Sequence, residues 1–250
     1  MPGDADRYWK NQDAVAAAVH DALRGTYNLG RYDVIAYFLP GDTNRKPFNI
    51  GTTGRRPKGK RLHSDVFMNK GLYNRGPSFA HEIGHALMWY NHACSASVES
   101  LKVTHWDGDP YEMMGYGLKR TTLSPGHIGF SYRYFSGWVD EDQSTLARRP
   151  GLYTVGEEGA IRVATEQGTP VWLELISDEM AYGEEAGGLL VRLDNQPGMV
   201  GKLVDMTPST THVNDAHLEV GESVNIEGRT IRFVAREWRE GGYRAVIFLD

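Results

Sequence analysis

The run from residue 77 to 92, Pro-Ser-Phe-Ala-His-Glu-Ile-Gly-His-Ala-Leu-Met-Trp-Tyr-Asn-His, sets two histidines four positions apart with a glutamate beside the first: His81, Glu82 and His85. On a helix, residues four apart project from one face a single turn apart, so two imidazoles can grip one ion. Zinc takes nitrogen ligands at about 2.0–2.1 Å in a tetrahedron, and a catalytic zinc keeps one position open for water. A carboxylate beside the first ligand can take a proton from that water. The motif therefore supplies two metal ligands, His81 and His85, and a general base, Glu82.

The elements around the motif have to position it. Pro77 suits a first helical turn, where its missing N–H costs nothing, and Phe79, Ile83, Ala86, Leu87 and Tyr90 recur at helical spacing. A third ligand cannot come from the same helix continued, because His92 would then sit about 10 Å further along the axis than His85. The helix must break between Leu87 and His92 and fold the chain back, with Asn91 the residue best able to adopt a left-handed conformation. His92 is then the expected third ligand and His105 the runner-up. Glu99 would serve only in a site completed by a carboxylate from a downstream helix.

These histidines, taken with the downstream Glu112-Met113-Met114-Gly115-Tyr116-Gly117, resemble the metzincin metalloproteases, and among them the gametolysin and immune-inhibitor-A type of secreted peptidase. Those families place Gly three residues after the second His and the third ligand three residues later. Here Met88 holds the Gly position, Asn91 the ligand position, and His92 comes one residue late, as a one-residue insertion in the turn would give. The resemblance implies that Met114 forms an apolar floor beneath the metal. It also implies that Tyr116 holds a phenol near the zinc, where it can donate a hydrogen bond to an oxyanion at the scissile carbonyl. A secreted protein whose signal and any pro-segment are absent from this chain follows from the same likeness. So does a substrate paired as an extended strand with a sheet edge, expected here at Leu62 to Met68.

Elsewhere the chain is that of an ordinary soluble globular protein: 250 residues, enough for one large domain or two smaller ones, with 24% charged residues and a formal net charge of −5. No run approaches the roughly 18 apolar residues of a membrane span. Five basic residues, Arg55, Arg56, Lys58, Lys60 and Arg61, crowd one loop, but in a net acidic chain they read as a solvated segment and not as a nucleic-acid surface. The single Cys94 excludes an intrachain disulfide and reads as a small buried thiol. Nothing in the sequence indicates an oligomeric state.

Residues 13 to 24 place Val15, Val19, Ala22 and Leu23 on one stripe of an amphipathic helix, and Tyr32 to Leu39 read as a strand buried on both faces. Ser124-Pro125 is expected to open a helix that runs through Ile128, Tyr132 and Phe135 and stops at Gly137. Beyond residue 143 short runs at strand length follow one another: Leu152–Val155, Ile161–Ala164, Val171–Ile176, Leu189–Leu193, Ser223–Ile226, Ile231–Val234 and Tyr243–Leu249. Seven such strands indicate an antiparallel sandwich. The stretches 189–194 and 216–223 resemble the sandwich that follows the protease domain in the immune-inhibitor-A type. His127 reads as structural, and His212 and His217 as surface residues.

The expected architecture is thus an α/β metzincin-like catalytic domain over residues 1–145, a mixed sheet with an active-site helix, followed by an all-β antiparallel sandwich domain over 146–250. The expected function is that of a zinc-dependent endopeptidase acting on protein or peptide, with Zn2+ on His81, His85 and His92, Glu82 as base and Tyr116 as oxyanion donor. The alternative is a catalytically degenerate relative that binds a glycan or protein partner. Met88 and the displaced His92 favour it; the intact Glu82 opposes it.

Overall fold

The computed structural model of the chain describes residues 12–39, 52–53, 64–69, 76–88, 92–106, 108–115, 128–176, 187–194, 201–210 and 213–250. These residues are mostly β, with few helices and several sheets. No helix among them is long and apolar enough to cross a membrane. The basic loop at 55–61, Asn91, Tyr116, the Ser124-Pro125 pair, His127 and His212 lie outside the described residues. The chain divides into two compact units, Met1–Tyr90 with Arg120–Pro125, and Asn91–Lys119 with Gly126–Asp250.

In the first unit, strands β1 (Val34–Leu39), β2 (Thr52–Thr53) and β3 (Ser64–Asn69) form a mixed sheet in the order β1-β3-β2, with β1 parallel and β2 antiparallel to β3. Successive residues of a strand face opposite sides, and here each side finds its own helix. Ile35, Tyr37 and Phe67 pack with Val15, Ala16 and Val19 of helix α1 (Gln12–Leu23). Val34, Ala36 and Val66 pack with Phe79, Ile83 and Ala86 of helix α2 (Gly76–Met88). The near-continuous apolar run of β1 fits this packing on two faces, although Phe38 stays 51% exposed. A polar contact adds to it: His20 Nε2 lies 2.8 Å from Tyr37 Oη, which donates to Asp65 Oδ1 at 3.0 Å. The strand expected as a free edge, Leu62 to Met68, is instead the central β3. Among the described residues, strand β2 pairs with Ser64 and Asp65 of it, by Thr53–Ser64 and Thr52–Asp65.

The second unit holds a seven-stranded sheet in the order β5-β4-β11-β10-β9-β8-β6 and a four-stranded sheet in the order β12-β13-β14-β7. The strands are β4 (Ser95–Ser97), β5 (Val103–His105), β6 (Ser144–Ala147), β7 (Gly151–Gly156), β8 (Ala160–Val163), β9 (Val171–Leu175), β10 (Leu189–Leu193), β11 (Lys202–Asp205), β12 (Ser223–Ile226), β13 (Arg229–Arg239) and β14 (Gly242–Leu249). Leu173, Val191 and Val204 from one sheet and Ile231, Phe233 and Ile247 from the other belong to a single core. All seven runs expected as strands are strands. The sheets are not purely antiparallel, because β4 pairs parallel with β11 and β6 parallel with β8.

Two expectations are corrected here. The boundary at 145/146 does not match the division of the chain, because Ser95, Ala96 and Ser97 pair with Leu203, Val204 and Asp205 and thereby join the sandwich sheet. The helix expected from Ser124 is helical over α3, Phe130–Phe135, and begins where two buried carboxylates take its first amide protons. Glu112 Oε2 accepts from the Gly129 N–H at 2.5 Å and Glu174 Oε2 from the Phe130 N–H at 2.7 Å. Gly137 ends the segment in the left-handed region, φ +69°, as its position implied.

The shared sheet gives a prediction for truncation. A chain ending at Gln143 loses β10 and β11, so β4 has no inner neighbour, and the buried Asp109 and Glu112 lose the Arg192 guanidinium beside them. Stranding a buried charge costs about 3–5 kcal/mol, a large part of a domain's stability. The segment 92–115 should then give no protected amides in hydrogen exchange, whereas the full chain protects Ala93 and Leu203. Equal protection in both would contradict the shared sheet.

Candidate metal centre

Helix α2 carries its apolar residues Phe79, Ile83 and Ala86 against the first sheet. At about 100° per residue, His81 and His85 fall on the opposite side of the helix, with Glu82 at its flank. Helical spacing thus separates the packing stripe from the chemical one. His81 and Glu82 are buried, 5% and 4% exposed, and His85 is half-buried.

The two imidazoles meet edge to face, ring planes 87° apart, with their Nε2 atoms 3.0 Å from one another. Two nitrogens bound to one tetrahedral ion at about 2.0–2.1 Å would be about 3.3 Å apart, so this spacing fits a shared ion. His92 completes the set: one ring nitrogen from each of His81, His85 and His92 lies within 4.8 Å of the other two. Helix α2 ends at Met88, so the break required between Leu87 and His92 is present. His92 is exposed. Glu82 Oε1 is 3.9 Å from His81 Nε2 and is no part of the nitrogen set. Three imidazoles make a donor set that can hold a metal ion.

The residue after His92 is anchored on both sides of its peptide. The Ala93 N–H donates to the Met114 carbonyl at 2.8 Å, and the Ala93 carbonyl accepts from the Asp109 N–H at 3.1 Å. The turn Tyr111–Gly115 is buried throughout, and Met114 is fully buried. Gly115 is required by this packing: a Cβ there would stand 2.2 Å from the Asp109 carbonyl oxygen and 3.1 Å from that of Ala93.

The other candidates fall elsewhere. His105 lies on the exposed strand β5, in register with Ser95, and is not among the grouped histidines. Glu99 is exposed in the turn between β4 and β5. Cys94 is buried, its thiol pushed up by that burial, as expected for a packing residue. His217, expected at the surface, is buried, with Nδ1 3.2 Å from Tyr111 Oη, and Gly188 packs so closely on its ring that a Cβ there would stand 2.2 Å from Cδ2.

Sequence reasoning missed the buried charge cluster behind the turn. Arg192, on the central strand β10, is fully buried. Its Nε donates to Asp109 Oδ2 at 2.9 Å and its Nη1 to Glu174 Oε1 at 2.8 Å. Burial pushes the neighbouring Glu112 carboxyl up to about 8, against the pull of Arg192 and with the push of Asp109. The only sequence signal was an arginine inside the apolar run Leu-Leu-Val-Arg-Leu, which alternation alone would put on a solvent face.

A pH dependence follows from Glu112. Its folded pKa lies above the unfolded value of 4.5, so between those values the native state binds more protons than the unfolded one. The stability this proton contributes is complete below about pH 4.5 and is lost as pH rises through about 8, at up to about 1.4 kcal/mol per pH unit. Urea unfolding at pH 5 and pH 8 should show a larger fall in wild type than in Glu112→Gln, which cannot titrate. Identical falls would place the pH dependence in other groups.

No protein-family model, no curated protein and no solved structure matches the chain.

Proposed function

We propose that the protein is a zinc-dependent endopeptidase, and that it works outside the cell. The observation that carries this reading is the convergence of three imidazole nitrogens within 4.8 Å, with the buried Glu82 carboxylate 3.9 Å from one of them. Three nitrogen donors favour zinc over magnesium or calcium, which take oxygen ligands. When bound at His81, His85 and His92, zinc supplies a Lewis acid and makes water a competent nucleophile at neutral pH.

The chain's own groups then divide the work. Glu82 accepts the proton of the attacking water and returns it to the amine nitrogen as the C–N bond breaks. Tyr116 donates to the oxyanion, the role that the metzincin resemblance implies for it. A purely structural zinc site has no use for a carboxylate at its margin, and Glu82 therefore favours catalysis over a binding role.

Casein or gelatin cleavage tests the proposal. Zinc-loaded protein should degrade either one, lose that activity to a chelator and regain it on addition of zinc. Absence of cleavage by protein shown to carry one zinc would favour the binding role.

A further inference from the structure

The second unit holds His92 through a chain of contacts that starts deep in its own sheet. Asp109 is clamped at both carboxylate oxygens, Oδ1 accepting from the Tyr111 N–H at 2.9 Å and Oδ2 from Arg192 Nε at 2.9 Å. Its backbone N–H meets the Ala93 carbonyl, and its own carbonyl packs against Gly115. Asp109, Ala93 and Arg192 are all fully buried, so no solvent competes for these contacts.

A buried arginine is a poor device for stability alone. Its desolvation is costly, and apolar residues of similar volume commonly do as well. What a guanidinium adds is fixed geometry, a planar fork with separate donors aimed at separate acceptors. Here one donor meets Asp109 and another meets Glu174, so Asp109, whose backbone N–H holds the carbonyl of the residue after His92, is set from strand β10.

We infer that Arg192 is a positioning residue of the metal centre, which through Asp109 and the Ala93 peptide holds His92 in place as third ligand. This inference rests on the metal reading proposed above.

Glu174 provides the internal control. It binds the same guanidinium, but its other oxygen is tied to the Phe130 N–H of α3 and not to the His92 segment. The experiment measures zinc affinity by competition with a chromogenic chelator, and the d–d absorption of the cobalt(II) form, in the full-length wild type, Asp109→Asn, Arg192→Lys and Glu174→Gln. Melting temperatures of the metal-free proteins are recorded alongside. Changes in groups that orient metal ligands lower affinity by about 10–100-fold. Asp109→Asn and Arg192→Lys should show at least the lower end of that range and an altered cobalt spectrum. Glu174→Gln should stay within about twofold of wild type and keep its spectrum, even though all three melt lower.

Wild-type affinity in both Asp109→Asn and Arg192→Lys, or losses in all three variants that follow their melting temperatures, would overturn the inference while leaving the metal reading intact. Should Asp109→Asn fail to fold, Arg192→Lys, which keeps the positive charge, decides alone. A wild type that binds no zinc overturns both.

Discussion

Glu82→Gln should retain zinc at wild-type stoichiometry and lose peptide hydrolysis by about 10²–10⁴-fold, the contribution of a general base. The substitution preserves the size of a side chain that is 4% exposed, so packing around α2 should survive, and it leaves the three imidazoles untouched. What it removes is the acceptor for the proton of water. An amide in that place cannot take it at neutral pH. The loss should appear in kcat far more than in KM, because the carboxylate acts on the reacting water and not on substrate binding. Initial rates on a fluorogenic peptide, with zinc content measured on the same samples, check this. Undiminished kcat in a zinc-loaded Glu82→Gln protein would remove Glu82 from the mechanism.

The second large effect concerns the third ligand. His92→Ala should lower zinc affinity by more than about 100-fold, beyond the range seen when only an orienting group is changed, since it deletes one of three protein ligands. His105→Ala should alter affinity little, because His105 stands exposed on β5 outside the grouped nitrogens. His92 is itself exposed, so its loss disturbs no core and the drop in affinity is free of a folding cost. Competitive titration of both variants measures the difference. A sharp loss in His105→Ala with wild-type affinity in His92→Ala would move the third ligand to β5.

The grouping of the three histidines was legible in the sequence because helical geometry is strict. Four residues bring His81 and His85 to one face, while a rise of about 1.5 Å per residue keeps His92 out unless the helix ends. That β1 packs on two faces was legible in its apolar run from Val34 to Leu39, but the full burial expected of Tyr32 to Leu39 is not met, since Tyr32 and Phe38 are about half exposed. The part that escaped is long-range. Ser95-Ala96-Ser97 is too short and too polar to mark a buried strand, and its burial comes from pairing with a strand more than a hundred residues later. A composition change near residue 143 therefore suggested a boundary that the hydrogen bonds do not respect.

Arg192 escaped for the same reason. Alternation assigns a charged residue within a strand to the solvent side, whereas β10 is the middle strand of its sheet and is buried along its whole length. The carboxylates of Asp109 and Glu174 make an arginine tolerable there, and their positions cannot be inferred from spacing along the chain. The start of α3 was misplaced because its capping carboxylates, Glu112 and Glu174, come from distant segments and not from the local Ser124.

X-ray absorption at the zinc edge, on full-length protein loaded with one equivalent of zinc, tests the central claim most directly. The account predicts three imidazole nitrogens and one oxygen not supplied by the protein, all at about 2.0–2.1 Å, the signature of a site with a position open for water. A fourth protein ligand, above all a sulfur at about 2.3 Å from Cys94, would mark a closed structural site and contradict the proposed catalysis.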